Sequence, residues 1–247
     1  MRPGFEPLCL SLFVLGLFVI GSLAASRAVL AEGSVGGHVD GTTDYVFRGV
    51  SQTRGASAAQ ADLHYQTTGG WFAGAWGSTV DLNPGEGGTV ELNAYAGRAW
   101  SFNGPWNAKV TGVQYVYPND TDFLRYDYFE LVTSVAYEDR FGITVSWSPK
   151  VSRFSNYGLA RDSHTFTYEM VGQLPMAEHL AATASLGYYD LSQLFGAGYT
   201  YGSLGLVGSY KNVRADLAWF GASDTARELF GLETAGDRWS FTLTWWF

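Results

Sequence analysis

Trp239-Ser240-Phe241-Thr242-Leu243-Thr244-Trp245-Trp246-Phe247 closes the chain, and its pattern decides the fold. Trp239, Phe241, Leu243, Trp245 and Phe247 fall at every second position, with Ser240, Thr242 and Thr244 between them. Side chains of a strand alternate between its two faces, so this segment has one apolar face and one hydroxyl face. The same period recurs upstream. Leu180, Ala182, Ala184, Leu186 and Tyr188 alternate with Ala181, Thr183, Ser185 and Gly187. Phe141, Ile143, Val145 and Trp147 alternate with Gly142, Thr144, Ser146 and Ser148. Phe129, Leu131, Thr133, Val135 and Tyr137 oppose Tyr128, Glu130, Val132 and Ser134.

Carried to the start of the pattern, this predicts twelve strands. They cover residues 35–47, 57–67, 71–80, 89–101, 106–117, 127–137, 141–151, 164–174, 179–189, 198–209, 212–222 and 238–247. Connections after even-numbered strands are short, as at Thr68-Gly69-Gly70, Asn103-Gly104-Pro105 and Glu138-Asp139-Arg140. Those after odd-numbered strands are longer, the longest being 152–163 and 223–237. An even strand number, ten-residue segments and alternating short and long connections predict an all-β, transmembrane, antiparallel up-and-down β-barrel. Short turns and both termini then face the periplasm. Trp71, Trp106, Phe141 and Trp239 open strands, where indole and phenyl rings suit the lipid headgroup level. A terminal aromatic preceded by apolar residues at every second position resembles the assembly signal of bacterial outer-membrane proteins. The resemblance assigns that role to Trp239, Phe241, Leu243, Trp245 and Phe247, with the barrel-assembly machinery as partner during insertion.

Composition agrees. The 247 residues include 31 glycines, 16 % aromatics and only 15 % charged residues; average glycine usage is ~7 %. One cysteine excludes a disulfide framework and a cysteine-based zinc site, and no metal or other cofactor is expected. A net charge of −8 argues against nucleic acid as a partner. The apolar run from Leu8 to Leu23, then Ala28-Val29-Leu30-Ala31-Glu32, reads as a secretory signal peptide over 1–31. The barrel then occupies 32–247, exported to the outer membrane of a Gram-negative cell with that membrane's lipid around it.

Asp44-Tyr45-Val46-Phe47-Arg48-Gly49-Val50-Ser51-Gln52-Thr53 resembles the opening motif of the TorF-type porin family of Gram-negative outer membranes. Gly74-Ala75-Trp76-Gly77-Ser78, Glu91-Leu92-Asn93-Ala94-Tyr95-Ala96-Gly97 and Tyr126-Asp127-Tyr128-Phe129-Glu130 follow in that family's order. The resemblance implies an outer-membrane, porin-like protein whose solute is undefined.

With the apolar sets in lipid, the opposite sets line the lumen. Asp44, Arg48, Asp62, His64, Glu91, Lys109, Glu130, Glu169, Arg214 and Asp216 fall there. A lipid-facing charge costs roughly 2–4 kcal/mol near the midplane, which forces this placement. Arg98 falls instead on the lipid-facing set, near the periplasmic rim, where it can snorkel. On one strand face, Asp44 and Arg48 stand ~13 Å apart, so Arg48 needs a partner such as Glu91, Glu130 or Glu169.

Six acids against three bases predict a narrow, weakly cation-selective pore for passive diffusion of small solutes. The alternative is a non-conducting structural or adhesin-type barrel whose lumen is filled by salt bridges. Loop aromatics at Arg153-Phe154-Ser155-Asn156-Tyr157 and Ala226-Arg227-Glu228-Leu229-Phe230 would serve such an adhesin. A lipase-like barrel enzyme is a third class, but no Gly-x-Ser-x-Gly elbow or His-Glu-x-x-His motif occurs, and no catalytic residue is assigned.

Overall fold

Alternation with period two leaves each strand one face for lipid, and closing the sheet satisfies every backbone edge without water. The computed structural model describes residues 33–82, 90–118, 127–153 and 161–247. The proposed signal peptide and loop residues 154–157 lie outside the described residues.

Twelve strands form the closed barrel: β1 (Ser34–Thr42), β4 (Ala58–Gln66), β5 (Trp71–Thr79), β6 (Val90–Ser101), β7 (Trp106–Val116), β8 (Tyr128–Tyr137), β9 (Phe141–Arg153), β10 (Arg161–Ala177), β11 (Leu180–Asp190), β12 (Tyr199–Tyr210), β13 (Val213–Ala222) and β14 (Arg238–Trp246). Two further short strands, β2 (Val46–Phe47) and β3 (Val50–Ser51), pair only with each other. Each barrel strand pairs antiparallel with its chain neighbour, and β1 joins β14 to close the ring. Three short helices cover the end of the barrel that carries the long connections: α1 (Ser192–Phe195), α2 (Asp224–Phe230) and α3 (Leu232–Ala235). Two of them occupy the 223–237 connection that the sequence reading treats as a plain loop, with Ala226 and Ala235 wholly buried.

Parity places the faces as expected. Trp239 is 64 % exposed and Phe247 55 %, whereas Glu130 on the opposite face of its strand is 1 % exposed. The short turns use conformations that hairpins of right-handed twist require. Glu138 and Asp139 both take positive φ, and Arg140 N donates to Tyr137 O at 3.0 Å.

Closure involves the last residue directly. Phe247 N donates to Gly37 O at 3.0 Å, and Gly37 N to Phe247 O at 3.1 Å. Gly37 has to be glycine here. A Cβ would lie 2.4 Å from Asp62 O and 2.8 Å from the Phe247 ring.

One expected strand differs. The segment 35–47 is not continuous, because β1 stops at Thr42 and residues 43–57 leave the wall. Asp44 and Arg48 are therefore not two lumen-facing positions on one strand. They belong to a hairpin turned inward.

Candidate functional site: a hairpin across the lumen

The departure follows from local chemistry. Thr42 Oγ1 donates to Asp44 O at 3.0 Å, and Ser240 Oγ of β14 donates to the same carbonyl at 2.7 Å. These bonds turn the chain off the wall, since that carbonyl no longer faces a ladder partner. Asp44 then braces both arms of the hairpin. Its Oδ1 accepts from Ser51 Oγ and from Thr53 Oγ1 at 2.9 Å, and its Oδ2 takes Arg238 Nη1 at 2.8 Å. Gln52 N donates to Tyr45 O at 2.7 Å, closing the arms against each other.

The tip is a two-residue turn in which Arg48 has φ +50° and Gly49 φ +76°. Positive φ is uncommon for a residue with a side chain and marks strain held by its surroundings. Those surroundings are specific. Arg48 Nη2 donates to both carboxylate oxygens of Glu130 on β8, at 2.8 and 2.9 Å. Its guanidinium carbon lies 4.7 Å from the Phe47 ring centroid and 4.5 Å from that of Tyr189 on β11. The Arg48 side chain has no solvent exposure.

The hairpin crosses the whole bore. It leaves β1 and returns into β4, which are neighbours, while β8 and β11 each stand four strands away, on opposite sides. Its flanks fill the space between. Tyr45 meets Trp76 of β5 edge to face at 5.6 Å, and Phe47 packs on Tyr115 of β7 at 6.3 Å. Val46 packs with Ala218 and Phe220 of β13. A Cβ on Gly49 would stand 2.7 Å from that of Tyr201, so glycine lets the tip seat against β12. Val50 joins Leu191, Leu194, Tyr199 and Tyr201 in the apolar cluster beneath the helices.

The other sequence-derived lumen residues lie on the inner face. Glu91 accepts from Asn93 Nδ2 at 2.7 Å and interacts with the phenols of Tyr45 and Tyr117. Glu169 Oε2 accepts from Tyr201 at 3.3 Å. Asp62 accepts from Tyr95 at 2.6 Å and contacts His64 Nδ1 at 2.6 Å. Arg214 and Asp216 pair with each other, Nη2 to Oδ1 at 3.0 Å. Lys109 stands 4.7 Å from the Phe72 ring. Of the three acids considered for Arg48, the structure selects Glu130.

Sequence reasoning missed Arg238, the cation at the hairpin's base, and the pair His38–Asp40, 3.2 Å apart on the inner face of β1. It also missed how much of the lumen is aromatic. Trp76, Tyr95, Tyr115, Tyr117, Tyr199 and Tyr201 all point inward and are buried. Parity alone would have found them, because Tyr115 and Tyr117 share the inner set of Lys109.

The family model described as "Bacterial protein of unknown function (Gcw_chp)" matches residues 31–247. The chain belongs to the Gcw_chp family. That description carries neither the TorF name nor a function. No curated protein matches the chain in sequence. Among solved structures it is similar to the NanC porin, at 9 % identity and a TM-score of 0.58, over 84 % of this chain and 97 % of that one. It is also similar to the KdgM porin, at 8 % identity and a TM-score of 0.50, over 86 % and 98 % respectively. At such identities the likeness is one of fold: a closed, porin-type twelve-stranded barrel. For this member of the Gcw_chp family, function has to be argued from the lumen.

Proposed function

We propose that this protein is an outer-membrane channel for passive diffusion of small solutes, held nearly shut by its inward hairpin and weakly selective for cations. The outer-membrane location is supported by the apolar belt and the porin-type fold. In the same reading, the outward row Trp239, Phe241, Leu243, Trp245 and Phe247 presents the last strand to the barrel-assembly machinery. The observation that carries the functional reading is the Arg48–Glu130 pair. A buried charge is placed at the tip of a positive-φ turn and tied to the far wall, so that one ion pair anchors the tip of a segment that fills the bore.

Selectivity follows from which lumen charges are already matched. Arg48, Arg214 and Arg238 are spent on Glu130, Asp216 and Asp44. Asp40 and Asp62 contact histidines, and Glu91 and Glu169 accept from neutral donors. Glu91 and Glu169 are buried without a cation in contact among the described residues, so Asp40 and Asp62 against Lys109 supply the small excess of negative charge that favours cations. The test is a planar bilayer holding the purified protein in a salt gradient. Small currents with a cation-directed reversal potential are expected; an anion-directed potential refutes the charge argument.

A second reading, a filled structural barrel, is favoured by one observation. Ser146, Ser148 and Thr165, on the inner face of β9 and β10, are each no more than 1 % exposed. It predicts no current under any condition, including after the hairpin is removed.

A further inference from the structure

We infer that the lipid-facing side of β5 and β6 carries a binding site for one phospholipid, with Arg98 holding its phosphate. The inference rests on the membrane-spanning reading of the barrel, and the experiment below separates the two. Arg98 lies on the outward face of β6, in line with the exposed Leu92, Ala94 and Ala96. It stands three residues before the strand ends at Ser101, beside a short connection. That is ~10 Å along the strand, the depth at which the penalty for a lipid-facing cation falls to about 0–1 kcal/mol. Trp71 and Trp100 flank Arg98 on the same face, and tryptophan favours the headgroup level.

The guanidinium is held in place. Trp71 opens β5 in register with Arg98, and the guanidinium carbon lies 5.2 Å from its ring and 5.3 Å from that of Trp100. Indole faces fix a planar guanidinium while leaving its in-plane N–H groups free, the geometry that suits a phosphate bidentately. Arg98 Nε is covered and has no hydrogen-bond partner among the described residues, so a phosphate is met by the two terminal nitrogens of the guanidinium.

Above this cation the outward wall is unusually small. Ala73 and Ala75 of β5 pair in register with Ala96 and Ala94 of β6, and all four are exposed. Larger side chains bound this patch, with Leu63 and Tyr65 on β4 and Phe129 on β8. Small side chains thus rise from a fixed cation. Charge complementarity with a phosphate below and room for an acyl chain over the four alanines commit the site to a diacyl phospholipid of the periplasmic leaflet.

The test is native mass spectrometry of the folded protein in uncharged detergent, titrated with palmitoyl-oleoyl phosphatidylglycerol. Heat-modifiable gel migration serves as the check on the barrel. Wild type should retain a first equivalent. Arg98→Gln should weaken that equivalent about tenfold or more, with Arg98→Lys intermediate. Ala96→Phe should weaken it with the charge intact. Retention by Arg98→Gln within twofold of wild type overturns the site. Displacement by inorganic phosphate at equal concentration overturns a lipid as its ligand. Absence of heat-modifiable migration in wild type would instead overturn the membrane reading.

Discussion

Replacing Arg48 by Ala should free the hairpin tip while leaving the barrel intact. In the variant, Glu130 keeps, among the described residues, Ser148 Oγ at 3.3 Å and the Tyr115 hydroxyl at 3.5 Å. Removing one member of a buried ion pair costs about 3–5 kcal/mol. Loss of the Phe47 and Tyr189 ring contacts adds about 0.5–2 kcal/mol. The positive φ at position 48 persists with Ala, so no strain is relieved in compensation. At 1.4 kcal/mol per factor of ten, a loss of about 3.5–7 kcal/mol raises the population of an open tip by roughly three hundred- to a hundred thousandfold. The base of the hairpin is untouched, because Asp44 still holds Arg238, Ser51 and Thr53. Amide hydrogen exchange followed by mass spectrometry should therefore quicken across residues 45–53 and stay unchanged in the barrel strands. Adding Glu130→Ala to Arg48→Ala should cost less than the two single changes summed, because no charge is left buried alone. Unchanged exchange across 45–53 in a folded Arg48→Ala barrel would refute the pair as the latch. Loss of the barrel itself would show that the pair supports the wall instead.

Gly49→Ala should loosen the same tip by a different route, since its Cβ would press on that of Tyr201 at 2.7 Å in a φ of +76°; faster exchange at residues 45–53, without loss of heat-modifiable migration, is the expected result. Gly37→Ala should act on closure instead, with a Cβ 2.4 Å from Asp62 O and 2.8 Å from Phe247. A lower unfolding temperature and poorer refolding yield in detergent are expected, with exchange quickened along β1 and β14.

Most of the barrel was legible because period two is unambiguous when one face is lipid. Phe141 to Arg153 or Val213 to Ala222 offer no competing register: a slip of one residue would put Phe141 and Ile143 inward or Asp216 outward. The failure is equally specific. Tyr45, Phe47, Gly49 and Ser51 continue an alternating pattern past Thr42, and nothing local distinguishes a wall strand from a hairpin that packs on inward aromatics. Arg48-Gly49 was the available signal, a two-residue turn with glycine second, but arginine is not a residue that such turns favour. What fixes it is tertiary: Glu130 across the bore and Arg238 at the base, 82 and 194 residues away in sequence. The motif from Asp44 to Thr53 that carries the family resemblance is this same hairpin.

Single-channel conductance of a barrel from which the hairpin has been removed tests the central claim most directly. Residues 45–54 are replaced by a short Gly-Ser linker joining Asp44 to Gly55, and the variant is compared with wild type in the same planar bilayer. Removing a hairpin that spans the bore should convert brief, small openings into a steady, larger conductance with the cation preference kept. A folded, inserted variant with the same small currents as wild type, or none, would contradict the account.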